Sequence, residues 1–284
     1  MKYKWYSTSV AAKRALTWLS AAALSFVTIF PFIYILSTAL KSDSDLATSV
    51  DRVLPRVFQW SNFSGAWDLL DFPRCFLNSF IVSLSVTLAT ILVCSMAAYV
   101  FTRIEFRFRN AVFLLYLSTM MIPITVRLIP SYMLCKQLDL LNSYAGMILP
   151  QIAWNIPFGT FLMRQFFFGI PTALDEAAEI DGAGHLSIFT RIILPNAKSA
   201  MTTLGIYVFI QAWNNLIWVL LVASQKEMWT ITLGISSICG ASVIKQPSWN
   251  LIMGVIVIGL LPVLILYLVF QKYFMQSVAA TGIK

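Results

Sequence analysis

Residues 77–102 read LNSFIVSLSVTLATILVCSMAAYVFT, a run without a single Asp, Glu, Lys or Arg. An α-helix needs about 20 apolar residues to cross the hydrocarbon layer of a bilayer, and this run exceeds that length. Because backbone polar groups in lipid must be satisfied within the segment, such a run forms a helix and not an isolated strand. The stretch therefore predicts a protein that is embedded in a membrane.

Five other stretches extend this pattern along the chain. Together with residues 77–102, they predict six transmembrane helices in an all-α polytopic fold, in one domain that covers residues 1–284. The composition agrees, since 59% of the residues are hydrophobic and 11% are charged, whereas soluble domains carry about 25% charged residues. The five stretches are about 15–40, 110–133, 144–166, 200–223 and 249–271.

Basic residues set the predicted orientation. If the N-terminus is cytoplasmic, twelve of the 20 Lys and Arg residues fall on the inner side and seven on the outer side. The short predicted inner loop 103–109 alone contains three arginines. Cytoplasmic loops are enriched in Lys and Arg, so both termini are predicted to be cytoplasmic. This distribution accounts for the net charge of +8 without nucleic acid, for which the sequence has no binding motif.

Metal binding and catalysis find little support in the sequence. The four cysteines form no Cys-x-x-Cys pair, so they are interpreted as small apolar residues and no metal site is predicted. A membrane enzyme would need His, Asp or Cys clustered near one membrane face, and the chain has one histidine, His185. The phosphate-binding loop Gly-x-x-x-x-Gly-Lys-Ser/Thr is also missing, so the chain is not expected to hydrolyse ATP.

The predicted inner segment from about 167 to 199 is the most unusual part of the chain. From Pro171 to Pro195 it reads PTALDEAAEIDGAGHLSIFTRIILP. Pro171 suits the first turn of a helix, and Thr172 is a candidate cap together with Asp175. Glycines then interrupt the helix, and a second apolar helix is predicted to stop at Pro195. A short helix of this kind either docks into a groove of a partner protein or lies on the bilayer surface, and the pattern alone leaves both open.

This segment closely resembles the Glu-Ala-Ala signature of permeases from binding-protein-dependent ABC importers, in both order and spacing. Residues 97–101 followed by Arg103, and the C-terminal residues 281–284, resemble the carbohydrate-uptake branch and its maltose-type second permease subunit. The resemblance covers most of the chain and implies the type I importer transmembrane fold. The residues that carry the signature are Glu176, Ala177, Ala178, Asp181, Gly182, Ala183, Leu194 and Pro195.

The resemblance also implies how the segment works. The loop would form a coupling helix in a cleft of a separate ATPase, with Glu176 as the main polar contact, Gly182 as the turn, and Ala177 and Ala178 as the close-packed surface. ATP and Mg would be bound by that partner and not by this chain. The C-terminal tail, with Gln276 and Gly282, is a candidate for a second contact with the ATPase, and a frayed cytoplasmic end is the alternative.

The partners follow from the same resemblance. They are a second, homologous permease subunit in a heterodimer, two copies of an ABC ATPase subunit, an extracytoplasmic solute-binding protein and the lipid of a bacterial cytoplasmic membrane. The implied solute is a sugar, with oligosaccharides as the first expectation. A glycerol-3-phosphate or polyol importer of the same family is one alternative. A secondary transporter is another, although the internal repeats that are usual in that class are not visible.

Polar and aromatic residues inside the predicted helices are the candidates for the substrate pathway: Arg127, Asn155, Gln211, Trp213 and Asn214. A charge within a span is costly and usually faces a cavity or a partner, so Arg127 contacts either the solute or a partner subunit, or lies near the outer interface. Asn155 precedes Ile156-Pro157, so bonding to backbone groups freed by the proline is its alternative role. For Trp213, the alternative is a place at the membrane interface.

Overall fold

The computed structural model describes the backbone of residues 2–48, 52–240 and 247–282, and the side chains of residues 14–48, 52–240 and 247–269. Every regular element in these residues is helical. The α-helices are α1 (Lys2–Ala39), α2 (Asp43–Thr48), α3 (Ser61–Asp68), α4 (Phe72–Arg103), α5 (Arg109–Ser118), α6 (Ile124–Gln137), α7 (Tyr144–Phe168), α8 (Ala173–Ile180), α9 (His185–Ile188), α10 (Leu194–Asn196), α11 (Lys198–Trp213), α12 (Leu216–Val222), α13 (Ile231–Cys239) and α14 (Trp249–Gly282). Short 3₁₀-helices cover Thr119–Met121 and Lys226–Met228, and a π-helix covers Phe189–Ile193.

Among the described residues, three helical stretches are long and apolar enough to cross a membrane: Arg14–Ala39, Phe72–Arg103 and Trp249–Val269. They coincide with the predicted first, second and sixth spans. Two bent helix pairs raise the number to five if each pair is one span. A sixth span and the cytoplasmic position of both termini remain predictions.

The predicted third and fifth spans are not continuous helices. Residues 110–133 divide at Pro123, where α5 with its 3₁₀ extension meets α6 at an angle of 95°. Proline lacks the N–H that would continue the helix and disfavours helical backbone in the residue before it, which here is the extended Ile122. Residues 200–223 divide at Asn214, and α11 meets α12 at 53°. The side chain of Asn215 accepts a hydrogen bond from the N–H of Trp218 and so begins a new helix.

The predicted fourth span, residues 144–166, corresponds to the single helix α7. Its 25 residues rise about 37 Å at 1.5 Å per residue, enough to cross a bilayer. Gln151, Asn155 and Arg164 make it less apolar than the three spans above. This polarity fits its position, because α7 packs along α4 and Gln151 is buried inside the protein.

The chain divides into two compact units. The first lies within residues 1–70 and 237–260. In it, side-chain amides complete the C-terminal end of α1: Asn62 donates to the carbonyls of Ala39 and Lys41, at 2.9 and 2.8 Å, and Asn250 donates to Lys41 at 3.0 Å. The ammonium of the buried Lys41 donates to the carbonyl of Arg52. The last carbonyls of a helix have no partner within the helix, so these amides end α1 cleanly.

The second unit, residues 71–236 and 261–284, is built around α4, against which α7 and α11 pack. Small residues allow this close approach. A Cβ atom on Gly159 of α7 would lie 2.6 Å from the sulfur of Cys94 on α4 and 3.3 Å from Leu204 on α11. Small residues at such crossings are usual in membranes, where association depends on close packing.

Hydrogen bonds connect the N-terminal end of α4 to the segment that precedes α13. The buried Asn78 donates to the carbonyls of Glu227 and Trp229, each at 2.9 Å, and accepts from the hydroxyl of Tyr144 at 2.6 Å. The hydroxyl of Ser79 accepts from the N–H of Ile231 at 2.8 Å. These bonds fix α4 at one end, and the signature segment contacts it at the other.

Candidate functional site

The signature segment folds as a short helix, α8, followed by a turn. Asp175 and Glu176 lie in the first turn of α8, where the helix dipole favours negative charge. The predicted cap at Thr172 is wrong, because its side chain makes no capping hydrogen bond and its backbone is already helical. Asp175 is engaged elsewhere, with Arg103. The helix therefore begins without the predicted side-chain cap.

Gly182 makes the turn after α8. Its φ of +82° lies in the left-handed region, which residues with a side chain adopt only at a cost. Its N–H donates to the carbonyl of Glu179, and the N–H of Ala183 donates to that of Ala178 at 2.9 Å. These bonds satisfy the free carbonyls at the end of α8 in the manner of a glycine C-cap.

After the turn, the chain continues as α9, a five-residue π-helix and α10. The predicted second helix does not stop at Pro195, because this residue lies in the first turn of α10 and needs no N–H donor there. The helical path continues to Asn196, one residue further than predicted. Ile188 and Ile193 are buried in the core of the second unit, so this part of the segment is anchored to the protein.

One ion pair connects α8 to the C-terminal end of α4. The Nε atom of Arg103 lies 2.5 Å from Oδ2 of Asp175, and the two side chains are 7% and 12% exposed. Arg103 also donates through Nη2 to the carbonyl of Ile170 at 2.8 Å. Burial raises the pKa of the Asp175 carboxyl, the positive charge of Arg103 lowers it, and the nearby Glu179 and Glu176 raise it, with a net upward shift.

A second contact links α4 to the chain beyond the turn. The hydroxyl of Tyr99 lies 3.3 Å from Nδ1 of His185, and its ring centroid lies 5.3 Å from that of Phe189. His185 is otherwise exposed. Between these contacts lies a cavity of about 260 Å³ with a mostly polar and charged lining, which includes Arg103, Asp175 and His185.

Much of the remaining surface of α8 is open. Ala177 and Asp181 are exposed, as is Ile180 at 87% of its surface, and Glu176 is exposed although it also lines the cavity beside Arg103 and Asp175. Leu186, beyond the turn, is 76% exposed. Ala178 and Ala183 are half-buried against the core, as is Leu194, while Pro195 is exposed. We call the exposed residues Glu176, Ala177, Ile180 and Asp181 the free face of α8. Ala178, Ala183 and Leu194 pack against the core and hold the segment in place.

Comparison with known proteins identifies the family. Residues 77–279 match the family described as "Binding-protein-dependent transport system inner membrane component". The chain belongs to this family. The prediction of a permease subunit from a binding-protein-dependent importer is thereby confirmed, and so is its location in the inner membrane.

Relatives of the permease share about a third of its sequence. The sn-glycerol-3-phosphate transport system permease protein UgpE of Yersinia pestis bv. Antiqua (strain Antiqua) is 33% identical over 88% of this chain and 90% of its own length. The arabinooligosaccharides transport system permease protein AraQ of Bacillus subtilis (strain 168) is 33% identical over 92% of each chain. The diacetylchitobiose uptake system permease protein NgcG of Streptomyces coelicolor is 30% identical over 90% of this chain and 84% of its own length.

A solved structure shows the same fold. It is the crystal structure of a bacterial ABC transporter involved in the import of the acidic polysaccharide alginate, and it matches with a TM-score of 0.79 and 23% identity. The match covers 93% of the permease and 98% of the other chain. The predicted all-α polytopic permease fold is therefore confirmed.

The predicted pathway residues of the permease lie on three helices: Arg127 on α6, Asn155 on α7, and Gln211 and Trp213, followed by Asn214, at the C-terminal end of α11. Trp213 is buried, stacked on Phe209 with 5.7 Å between ring centroids and tilted against Phe76. Gln211 and Asn214 are exposed near the break between α11 and α12, and Arg127 is half-buried on α6. The Nε atom of Arg127 is buried and has no hydrogen-bond partner in the described part of the chain.

Asn155 has the backbone role that was its alternative, but at a different carbonyl. It donates to the carbonyl of Gln151 at 2.8 Å, whereas Pro157 leaves the carbonyl of Ala153 without its helical donor. Gln151 in turn accepts from Asn215 at 2.9 Å, across the helix break. Sequence reasoning missed this amide contact. Its signal was the pair Asn214-Asn215 inside an apolar stretch, which is typical of a helix end.

The side chains of the two residues predicted at the chain end lie outside the described residues. Gln276 and Gly282 fall in the last turns of α14, beyond the last residue whose side chain the structure describes. Cys75, Cys94 and Cys135 are buried free thiols. In the described residues, no group of three or more His, Cys, Asp or Glu is arranged to hold a metal ion.

Proposed function

We propose that the permease imports a sugar or oligosaccharide by alternating access, driven by a separate ABC ATPase that binds the free face of α8. We call α8 the coupling helix from here on. The observation that carries the proposal is the division of the signature segment: Ala177 and Ile180 are exposed and Glu176 is exposed at the edge of the cavity, while Asp175 is buried and paired with Arg103 of the spanning helix α4. A helix that is held on one face and free on the other suits a docking element.

Exposed apolar side chains on the coupling segment favour a protein partner over water. Ile180 and Leu186 expose most of their surface, and Leu174 exposes 44%. Exposed apolar patches next to polar residues mark interaction sites. Ala177 allows a close approach of the partner, and Glu176 offers a charge for one of its basic groups or backbone donors. ATP and Mg would bind to this partner, since the chain has no phosphate-binding loop.

The exposure of α1 supports a second permease subunit. The apolar window of Arg14–Ala39 is 0% buried within the chain, and large side chains such as Trp18, Phe26 and Phe32 are exposed along it. A homologous subunit in a heterodimer would cover part of this surface, and lipid would cover the rest. The complete assembly would contain two ATPase copies on the inner side and a solute-binding protein on the outer side.

The relatives support a carbohydrate as the solute. Two of them are named for arabinooligosaccharides and diacetylchitobiose, and the alginate importer has the same fold. Glycerol-3-phosphate, after which UgpE is named, is the second candidate. A phosphate group would pair with an arginine, so Arg127, whose buried Nε lacks a partner in the described residues, is the residue to test for this alternative.

The remaining pathway residues fall into two roles. Gln211 and Asn214 are exposed polar groups at a helix break, and transporters often bind solute at such breaks because unwound backbone is available there. Trp213 and Asn155 would support the pathway indirectly, because the first packs among aromatic rings and the second bonds to its own helix. The C-terminal residues Gln276 and Gly282 are kept as a further proposed contact with the ATPase.

The test is copurification of the ATPase with a tagged permease, expressed together with its neighbouring transporter genes. Glu176→Lys reverses a charge on the free face, and we expect a loss of bound ATPase of at least about tenfold, since charge reversal at an interface costs several kcal/mol. Glu227→Lys is the matched control, because it makes the same change in the exposed segment before α13. Equal ATPase recovery from both variants, at equal membrane abundance, would show that α8 is not the docking element.

A further inference from the structure

The coupling helix needs a rigid attachment if its movement is to reach the spanning helices. Through its buried face it contacts the C-terminal end of α4 by way of Asp175, which is 8% exposed as a whole residue. The other acidic residues of α8, Glu176 and Glu179, are exposed. Of the two ion pairs between described side chains, Arg103–Asp175 is the one in the second unit. It therefore provides the ionic attachment of α8 to a span.

We propose that Arg103 and Asp175 form a joint that makes the coupling helix and α4 move as one body, so that displacement of α8 by the ATPase is transmitted to the membrane. This inference rests on the proposed function of α8. Arg103 acts as a positioning residue, since it lies behind the docking face and not on it.

The geometry favours a stiff joint. Arg103 holds the segment at two points, the carboxylate of Asp175 and the carbonyl of Ile170 just before α8. The contact with Asp175 is a close ion pair without an aligned hydrogen bond, and the contact with Ile170 is a hydrogen bond of 2.8 Å. Because both side chains are largely excluded from water, the attraction between the charges is less screened than that of a surface pair. The carboxylate is thus held in place although burial raises the pKa of Asp175.

Movement of α4 would not remain local. Both α7 and α11 pack against α4, at contacts as close as Gly159 against Cys94. The far end of α4 is bonded through Asn78 to the segment before α13. Because packed interiors do not deform gradually, a displacement at Arg103 would be passed along α4 to the helices around it.

A second contact also joins α4 to the chain beyond the coupling helix. Tyr99 touches His185 and Phe189 beyond the turn, but at 3.3 Å its hydrogen bond to His185 is long. We expect Tyr99→Phe, which keeps the ring and removes the hydroxyl, to leave coupling within about twofold of the wild type. This variant separates the ion pair from simple contact with α4.

The experiment measures solute transported per ATP hydrolysed, in proteoliposomes that contain the complete transporter. Arg103→Asp and Asp175→Arg should each retain the ATPase subunits and ATP hydrolysis, and each should lower the ratio by at least about tenfold. The double variant, in which the charges are exchanged, should recover most of the ratio. Arg109→Asp is the matched control, because Arg109 lines the same cavity and bonds to the carbonyl of Ile104, with no ion pair among the described side chains.

Three outcomes would overturn the joint. The first is a ratio within about twofold of the wild type in both single variants, and the second is a double variant no better than either single one. If charge reversal lowers the amount of assembled transporter, Arg103→Gln and Asp175→Asn replace it; a lower yield with an unchanged ratio would then show a structural role only. A failure of the proposed function itself is distinct, because Glu176→Lys would then retain the ATPase.

Discussion

Gly182 directs the chain away from the coupling helix, and its backbone conformation alone accounts for the residue type. A Cβ atom at this position would meet nothing within 4 Å, yet φ is +82°. Gly184 also has open space around it, but its φ of −78° suits any residue. Gly182 and Gly184 therefore differ in backbone φ and not in the space around them.

We predict that Gly182→Ala weakens the segment by about 1 kcal/mol, the cost of left-handed backbone, and lowers ATPase copurification by about fivefold. Gly184→Ala should have no effect, and Gly182→Asn should lie between, since Asn tolerates this conformation better. The measurement is the yield of ATPase per permease. Identical yields from the two alanine variants would contradict the role assigned to Gly182.

The sequence identified the signature residues but not the ion pair between Arg103 and Asp175 that holds their segment against α4. Arg103 was read as a topology signal because it begins an arginine-rich loop, and Asp175 as part of a helix cap. Their pairing depends on how the end of α4 meets a segment 70 residues later in the chain, and no local pattern records that contact. The interruption of the helix by glycines was predicted from the residues, and the family resemblance placed the turn at Gly182.

Helices α4, α7 and α11 pack so closely at Gly159 that one added methyl group would not fit. A methyl group on Gly159 would collide with the sulfur of Cys94 at 2.6 Å. We predict that Gly159→Ala destabilises the permease by about 1–3 kcal/mol, the usual cost of overpacking. The check is the midpoint of thermal unfolding in detergent.

A compensating change tests whether that loss comes from the predicted collision. Cys94→Ala removes the sulfur and leaves the Cβ atom, which is 3.3 Å from the added methyl group. Gly159→Ala combined with Cys94→Ala should therefore unfold at a higher temperature than Gly159→Ala alone. Purely additive losses in the double variant would mean that α4 and α7 do not meet as described.

The predicted span 77–102 lies within α4, which begins five residues earlier, at Phe72. Sequence reasoning missed the breaks in the third and fifth predicted spans, although Pro123 and the pair Asn214-Asn215 signalled them. Hydropathy over a window of about 20 residues averages across a single break, so a bent pair and a straight helix look alike. The angles of 95° and 53° are set by packing and not by composition.

The whole molecule exposes more apolar surface than one chain needs. Bilayer lipid accounts for part of it, and the fully exposed window of α1 fits the second permease subunit proposed above. The sequence indicated such partners through the family signature. It did not indicate the solute, because polar residues inside the predicted spans are few.

Photo-crosslinking from the coupling segment in the assembled transporter tests most directly whether the ATPase binds to α8. With a benzoylphenylalanine in place of Ile180 or Leu186, which are the most exposed apolar residues of the segment, we predict a covalent adduct with the ATPase. The same probe at Trp60, an exposed residue before α3, should give none. An ATPase adduct from Trp60, or no ATPase adduct from either Ile180 or Leu186, would contradict the claim that the ATPase binds this permease at α8.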